Sequence, residues 1–301
     1  MKKLLAVLLT AAMTMAMLTA CGSSTEATDT TTETTEAEAD TTTDDAAVEE
    51  TAEAADAADA AEETADTEAA VSEALADGML TAGTNAEFPP FEYVGDDGEA
   101  DGFDIALIKA IAEKLGVDVQ VDNMEFASLV SSIGNKIDVA IAGMTITDER
   151  KEAVDFSEPY YEAVQYVLLP EGSEIATAED LKNKTIGVQL GTTGDFIASD
   201  IEGTTVNTYN KGVDAVNDLI NGRVDCVIID KNPALVFESK FQDDGSKITA
   251  VDGAQFEFEP EYYAIAVPKG DTALVDAINK AIEELKADGT FDELVKTYIE
   301  E

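Results

Sequence analysis

The chain has 301 residues with 64 acidic and 18 basic side chains, so its formal net charge at neutral pH is −46. A chain this acidic repels nucleic-acid phosphates, and we expect no nucleic-acid partner. The sequence contains no histidine, which excludes a histidine general base and a histidine-ligated metal, and we expect neither a metal nor a cofactor. Cys226 lies in an apolar run and is interpreted as a buried core residue rather than a nucleophile.

The first residues have the pattern of a secretory signal. Lys2 and Lys3 precede an apolar stretch that is too short for a stable spanning helix and ends in small residues. The run LTAC, which ends at Cys21, resembles the lipobox of bacterial lipoproteins, where the cysteine becomes the lipidated first residue of the mature chain. We therefore expect a signal peptide at 1–20 and a lipid on Cys21 that tethers the protein outside the cytoplasmic membrane. An ordinary signal peptide with an incidental cysteine is the alternative.

The next segment is a low-complexity acidic stretch. Residues 22–70 consist almost entirely of Thr, Ala, Glu and Asp, with seventeen acidic residues and no lysine or arginine. Such a segment buries too little apolar surface to offset its chain entropy, and its like charges extend it. We predict that 21–75 contains the lipidated cysteine and a disordered spacer ahead of the folded part.

After the spacer the sequence alternates strand and helix patterns. Two prolines lie in 84–93, which is predicted to be a loop carrying aromatic residues. The first half is predicted to contain strands at 79–83, 117–121 and 139–142 and helices at 104–115 and 126–133. Strands and helices in this alternating order are typical of a parallel sheet with helical crossovers.

The same order recurs in the second half. Strands are predicted at 184–188, 205–208, 224–229 and 262–267, and helices at 192–197, 213–220, 274–285 and 290–298. The segments SLVSSIGNKIDVAIAGM and DAVNDLINGRVDCVIID both run through helix, glycine turn, basic residue, aspartate and buried strand. We therefore predict two similar α/β units.

Arg150 is the first candidate for ligand chemistry. It is predicted to lie in the first turn of a helix capped by Thr147, where the helix dipole disfavours a cation. A bound carboxylate would compensate, because the guanidinium can grip it through two parallel hydrogen bonds. A surface ion pair with Glu149 or Glu152 is the alternative.

Further polar residues follow the predicted strands, and ligands of open parallel sheets bind beyond those carboxyl ends. Gly143 follows a buried strand that ends at Ala142 and lets the backbone approach a ligand closely. Thr145 offers a hydroxyl beyond it. The loop GTTG at 191–194 contributes Thr192 and Thr193 and opens a helix, so its N–H groups suit an anion, although a plain turn is the alternative.

Asp230 ends another strand with a carboxylate that suits an ammonium group, or that caps the following segment. Phe88 and Phe126 could stack on a ligand side chain or belong to the core. Taken together with Arg150, these residues indicate a site for a zwitterion.

From residue 79 to 301 the chain resembles the extracytoplasmic solute-binding proteins of polar amino-acid ABC transporters, family 3, which bind glutamine, histidine, arginine or cystine. The resemblance is carried by the motifs GTNAEFPPFEY, GFDIALIKAIAEKLG, IAGMTITDERKEAVDFSEPYY, IGVQLGTTGD and YAIAVPKG. It implies a two-lobed α/β fold of the type II periplasmic-binding class, each lobe a mainly parallel sheet flanked by helices, with two crossing hinge strands. Lobe 1 would comprise 76–163 and 262–301, and lobe 2 would comprise 164–261.

The resemblance implies a function as well as a fold. The protein would be a monomeric, membrane-tethered receptor that binds an amino acid between its lobes and delivers it to an ABC transporter permease, and it would not be an enzyme. A dehydratase-type enzyme on the same fold, or an amino-acid sensor module, is the alternative.

The resemblance also assigns the charged groups of the ligand. It places the α-carboxylate at Arg150 and Thr145, together with Thr193 or its backbone. It places the α-ammonium group at Asp230 and the carbonyl of Gly143.

The ligand side chain is assigned to the opposite end of the site. It would lie between Phe88 and Phe126. Gln189 matches a position that is lysine in some glutamine-binding relatives, and Asn85 matches one that is often aspartate. Glu87 is the nearest acid in a matched motif, so a basic amino acid is the first expectation; a solvated loop charge is the alternative.

Overall fold

The computed structural model describes residues 72–300. The predicted signal peptide, the lipidation site at Cys21 and nearly all of the spacer lie outside the described residues. None of the helices in 72–300 combines the length and the apolar composition needed to cross a membrane.

The strands and helices alternate as the sequence predicts. The strands are β1 (Met79–Thr84), β2 (Glu87–Phe88), β3 (Glu92–Val94), β4 (Ala100–Asp101), β5 (Asp118–Asn123), β6 (Val139–Ala140), β7 (Val154–Phe156), β8 (Tyr161–Ala163), β9 (Gln165–Pro170), β10 (Thr185–Gln189), β11 (Thr205–Tyr209), β12 (Cys226–Asp230), β13 (Ile248–Asp252), β14 (Glu261–Tyr263) and β15 (Ala266–Pro268). The α-helices are α1 (Phe103–Leu115), α2 (Leu129–Ser132), α3 (Asp148–Ala153), α4 (Thr193–Asp200), α5 (Gly212–Ile220), α6 (Lys231–Asp243), α7 (Thr272–Asp288) and α8 (Thr290–Tyr298).

Two five-stranded sheets form the body of the fold and have the same plan. The first has the order β5-β1-β6-β15-β7 and the second the order β11-β10-β12-β9-β13. In each sheet the first three strands are parallel, and the fourth runs antiparallel to its neighbours. The predicted pair of similar α/β units is therefore confirmed, and the carboxyl ends of the parallel strands form one edge of each sheet.

A short antiparallel ribbon connects the two sheets. Strands β8 and β14 pair, with Glu261 opposite Ala163 and Tyr263 opposite Tyr161. The chain enters the second sheet through β8 and β9 and returns to the first through β14 and β15. These connections are the two crossing strands that the family resemblance implies. Lobe 1 is the part of the fold built on the first sheet, and lobe 2 is the part built on the second; the predicted residue boundaries of the lobes stay a prediction.

The prediction of a loop at 84–93 is wrong. Strands β2 and β3 pair, with Glu87 opposite Tyr93 and Phe88 opposite Glu92. Pro89 and Pro90 occupy the turn between the strands, where neither residue has to donate a hydrogen bond to the pairing.

The predicted strand at 262–267 is divided by the structure. Its first part belongs to the ribbon as β14 and its last part to the first sheet as β15. Between them Ala264 donates its N–H to the carbonyl of Met144, 3.1 Å away. The chain thus changes partner within a continuous apolar run, which hydrophobic patterning alone does not reveal.

The apolar faces of the helices are buried against the sheets. Ile108 of α1, Leu80 of β1 and Ile278 of α7 are fully buried in one cluster. Cys226 is fully buried in β12, as expected of a core residue. Burial raises the pKa of its thiol to about 12, so the thiol stays protonated and unreactive at neutral pH.

Candidate functional site

A small cavity lies where the strand ends of the two lobes face each other. It contains eleven of the twelve binding residues that the sequence analysis names, lacks Glu87, and adds Glu92. Its lining is formed by Asn85, Phe88, Glu92, Phe126, Ala142, Gly143, Thr145, Arg150, Gln189, Thr192, Thr193 and Asp230. The residues come from both lobes, so a ligand here would be held between them.

Arg150 is positioned by the start of α3. Thr147 caps the helix as predicted, accepting a hydrogen bond from the backbone N–H of Arg150 at 3.1 Å. The Arg150 side chain donates from Nη1 to the carbonyl of Thr145 at 2.6 Å and from Nη2 to the carbonyl of Gly191 at 3.0 Å. The second bond crosses to lobe 2.

The burial of Arg150 decides between the two interpretations of this residue. The residue is only 6 % exposed, and the ion pairs of residues 72–300 do not include it. The alternative of a surface ion pair is therefore wrong. Two of the five guanidinium N–H groups bind backbone carbonyls, which leaves three for a ligand. The guanidinium carbon also lies 5.4 Å from the ring centre of Phe126, within cation–π range.

The loss of water around the buried Arg150 guanidinium favours an incoming anion. Burial lowers the pKa of Arg150, while the carboxylates of Glu261 and Asp230 oppose that shift. A buried guanidinium that has lost its water gains most from a partner with a full negative charge. The geometry therefore supports a carboxylate clamp at this end of the cavity.

The hydroxyls of Thr145 and Thr193 lie at the same end but already have an acceptor. Both donate to Oε2 of Glu261, each at 2.7 Å. Gln165 of β9 approaches the same oxygen with its Nε2 at 3.4 Å. Glu261 is not among the site residues predicted from the sequence, because its position beside these hydroxyls depends on the crossing of the two lobes.

The GTTG loop is only partly free to bind an anion. Thr192 caps α4, and the N–H of Gly191 donates to Oδ2 of Asp195 at 2.9 Å. The carboxylate of Asp195 thus occupies one of the donors that the sequence analysis expected to be free. The N–H groups of Thr193 and Gly194, in the first turn of α4, have no acceptor among the described residues, which leaves them available.

Asp230 ends β12, lines the cavity and is 7 % exposed. Tyr263 donates its hydroxyl to Oδ1 of Asp230. Burial, together with repulsion from Glu261, raises the pKa of Asp230 to about 7, although the Tyr263 hydrogen bond opposes the shift. A ligand ammonium group would replace this repulsion with attraction and lower the pKa again.

Gly143 lines the cavity together with Asp230 and has a left-handed backbone, with φ of 52°. A β-carbon at this position would lie 2.9 Å from the ring of Phe88, so only glycine fits without a shift. The N–H of Gly143 donates to Oδ2 of Asp104 at 2.7 Å, and Tyr160 donates its hydroxyl to the same oxygen at 2.8 Å. Asp104 thereby fixes the peptide that precedes Gly143, next to the one whose carbonyl is expected to face the ammonium group.

Glu92 is a buried acid that the sequence analysis missed. It lines the cavity, is fully buried, and neither carboxyl oxygen has a hydrogen-bond partner among the described residues. Burial, followed by the proximity of Asp104, raises the pKa of Glu92 well above its usual value, and burial raises that of Asp104 to about 6. Oδ1 of Asp104 also lacks a partner among the described residues, and a proton on one Glu92 oxygen would allow a hydrogen bond between the two carboxyl groups.

The far end of the cavity is formed by two amides. Nε2 of Gln189, in lobe 2, donates to Oδ1 of Asn85, in lobe 1, at 2.8 Å. Nε2 also donates to the carbonyl of Asn210 at 3.1 Å, and Asn85 donates to the carbonyl of Met124 at 2.8 Å. Both N–H groups of the Gln189 amide are used, so its oxygen remains to accept a hydrogen bond from a ligand.

Glu87 does not take part in this end of the cavity. Its carboxylate pairs with Lys211 of lobe 2 at 2.5 Å, outside the lining. The lysine neutralises the charge that was expected to select a basic ligand. The expectation for Glu87 is therefore corrected: it belongs to an ion pair between the lobes.

Comparison with known proteins adds an independent finding. Residues 80–301 match the family model described as bacterial extracellular solute-binding proteins, family 3. The L-cystine-binding protein of Escherichia coli (strain K12) is 36 % identical over 221 residues, which cover 72 % of this chain and 81 % of that protein.

Solved structures agree with the sequence relatives. An ancestral arginine-binding protein bound to arginine has a TM-score of 0.69 and 42 % identity, covering 74 % of this chain and 98 % of that one. An ancestral arginine-binding protein bound to glutamine gives a TM-score of 0.67 and 42 % identity, with 74 % and 99 % covered.

Proposed function

Because the chain belongs to the bacterial extracellular solute-binding proteins of family 3, we propose that it binds a polar amino acid between its two lobes and delivers it to the permease of an ABC transporter. The family relationship supports import rather than catalysis, since these relatives are named as binding proteins. The fold is the two-lobed type II arrangement of that family.

The observation that carries this proposal is the pairing of opposite charges in one cavity. Arg150 and Asp230 are both more than nine-tenths buried, and both line the same space. An amino-acid zwitterion would present its α-carboxylate to Arg150 and the N–H groups of Thr193 and Gly194. Its ammonium group would then meet Asp230 and the carbonyl of Gly143.

The amide end of the cavity indicates which side chains are accepted. The oxygen of Gln189 and the remaining lone pair of the Asn85 oxygen are hydrogen-bond acceptors. They favour a side chain that donates hydrogen bonds, either a guanidinium or an amide, and disfavour a carboxylate. We propose arginine and glutamine as the first ligands to test, with Phe88 and Phe126 beside the aliphatic part of the side chain.

The location of the protein is also part of the proposal. The signal at 1–20 and Cys21 support a lipid anchor that holds a monomeric receptor near the permease. Exchange of Cys21 for alanine should release the protein from membranes or leave it unprocessed. Unchanged retention after detergent-free fractionation would contradict the anchor but leave the binding function intact.

The binding function can be tested by a thermal-shift screen. Purified protein is heated with each of the twenty amino acids and with cystine, and ligands that bind the folded state raise the melting temperature. We expect the largest shift from arginine or glutamine and no shift for the Arg150→Ala variant. If no amino acid raises the melting temperature of the wild-type protein, the proposed function is wrong.

A further inference from the structure

Glu261 connects the two lobes at the back of the cavity. It is the first residue of β14, within the ribbon that joins the sheets. Its Oε2 accepts hydrogen bonds from Thr145 of lobe 1 and from Thr193 of lobe 2, each at 2.7 Å. One carboxylate oxygen therefore binds both hydroxyls that line the cavity beside Arg150.

The two hydroxyls form a wall between two spaces. Thr145 and Thr193 line the central cavity and also a groove on the outer side, where Glu261 lies with Glu257, Glu259 and Pro260. Each hydroxyl has a single proton to donate. While both protons go to Glu261, the hydroxyls present only lone pairs to the cavity and repel an incoming carboxylate.

The negative charge of Glu261 also opposes the binding of a ligand carboxylate. Among the groups that act on Arg150, Glu261 provides the strongest stabilisation of its positive charge. A ligand carboxylate would bring a second negative charge to the same guanidinium. Two carboxylates that share one cation repel each other, and the repulsion is stronger in a buried site than in water.

We propose that Glu261 is an internal competitor of the solute: its Oε2 holds the hydroxyls of Thr145 and Thr193, and it gives them up when an α-carboxylate binds. This inference rests on the proposed function, because it assumes that the carboxylate of an amino acid binds at Arg150. Through Glu261, strand β14 of the hinge directly affects the affinity for the solute. This competition lowers the affinity for the solute below the value that the cavity would have without Glu261.

The test compares Glu261→Gln with Glu259→Gln by calorimetric titration with the amino acid that gives the largest thermal shift. Glu259 is exposed and lines the same groove, so its exchange removes the same charge without touching the hydroxyls. We expect Glu261→Gln to bind about tenfold more tightly than wild type, a change equal to roughly one hydrogen bond to a charged acceptor. Glu259→Gln should bind within about twofold of wild type, as an exposed charge does.

A second ligand separates competition from a structural effect. The α-carboxamide of the same amino acid has no negative charge to compete with Glu261, so Glu261→Gln should not strengthen its binding. Glu261→Ala removes the acceptor as well as the charge, so it should strengthen binding of the amino acid more than binding of the carboxamide, and it replaces the glutamine variant if that variant does not fold.

The outcomes are distinct. Binding of the amino acid by Glu261→Gln that is equal to or weaker than wild type would overturn the proposal, as would an equal gain for the carboxamide. If the wild-type protein binds no amino acid at all, the proposed function itself fails, and this inference fails with it.

Discussion

The two ends of the cavity use different chemistry. At one end a guanidinium and a carboxylate, Arg150 and Asp230, are almost completely buried. At the other end two neutral amides, Asn85 and Gln189, bond to each other across the lobes. Removing a partner from a buried charge costs several kcal/mol, whereas a neutral hydrogen bond contributes about 1 kcal/mol net. The comparison indicates that the charged end supplies most of the affinity, and that the amide end distinguishes among amino acids.

The largest expected effect is the loss of Arg150. Removing one partner of a buried ion pair costs about 3–5 kcal/mol, so Arg150→Ala should weaken binding by roughly 10² to 10³·⁵-fold in a calorimetric titration. Arg150→Lys should also weaken binding, because an ammonium group cannot form the two-pronged contact. Arg223→Ala is the matched control, since Arg223 is exposed and pairs with Asp218, and it should bind like wild type.

A loss of affinity of less than about threefold for Arg150→Ala would contradict the inference that the charged end of the cavity supplies most of the affinity. The N–H groups at the start of α4 would then be the main anion site. Affinity would in that case be distributed more evenly over the cavity than the burial of Arg150 indicates.

The second effect is a pH dependence that originates at Asp230. Its pKa is raised to about 7 in the protein without ligand. Below that pH the ammonium group must displace a proton, so affinity should fall as the pH decreases, by at most about tenfold per pH unit. Above pH 7 the affinity should be nearly constant. Titrations of the wild-type protein at pH 8, 7, 6 and 5 measure the slope, and Asp230→Asn should bind weakly without this slope.

Through Asp230, rising pH should lower the stability of the protein without ligand, whereas it raises the affinity for the ligand. A carboxyl with a raised pKa holds its proton more tightly in the folded protein, so its contribution to stability is fully present below the unfolded value of about 4. That contribution is lost as the pH rises through about 7. Without ligand, Asp230→Asn should therefore melt at a higher temperature than wild type at pH 8, and the difference should disappear near pH 4. An Asp230→Asn variant that is less stable than wild type at pH 8 would show that the ionised carboxylate is structural.

A smaller effect is expected at the amide end. Asn85→Asp keeps the acceptor for Gln189 and adds a negative charge beside the ligand side chain. A hydrogen bond to a charged group contributes about 1.5–3 kcal/mol, compared with about 1 for a neutral pair. The ratio of arginine affinity to glutamine affinity should therefore rise by about three- to thirtyfold. An unchanged ratio would mean that the ligand side chain does not reach Asn85.

The smallest effect is expected at the ion pair between Glu87 and Lys211. The Lys211 side chain is 43 % exposed, and exposed pairs contribute less than about 1 kcal/mol. Lys211→Met should change the affinity for any amino acid by less than about threefold. A specific loss of arginine affinity in Glu87→Gln would instead return Glu87 to the role that the sequence suggested for it.

Sequence reasoning could locate most of the cavity because of one general property of parallel sheets. Strand ends converge, so Asn85, Gly143, Gln189 and Asp230 had to collect at sheet edges once the strands were recognised. Arg150 could be singled out because a cation in the first turn of a helix needs a partner. These inferences depend on local sequence and on the order of the elements.

The remaining features depend on distant parts of the chain. Glu87 and Lys211 are 124 residues apart, and Glu261 and Thr145 are 116 residues apart. Neither contact leaves a local pattern, since each follows from the way the lobes meet. Glu92 was visible inside a recognised motif, but nothing in its neighbours indicated that its carboxyl would be buried without a partner among the described residues.

The antiparallel strands β9 and β13 were also missed. The predicted pattern alternates strands with crossover helices in a parallel sheet. Neither strand follows one of the predicted helices, and both pair antiparallel in the sheet. Helix α6 was also missed; it carries Pro233 in its first turn, where proline is tolerated.

The central claim is that the protein recognises the two charges of a free amino acid. It is tested most directly by calorimetric titration of the wild-type protein with the best amino acid, with its α-carboxamide and with its N-acetyl derivative. Each derivative keeps the side chain and removes one α-charge, so each deprives Arg150 or Asp230 of its charged partner on the ligand. We predict that both derivatives bind at least about a hundredfold more weakly than the free amino acid. Binding of either derivative within about threefold of the free amino acid would contradict the account.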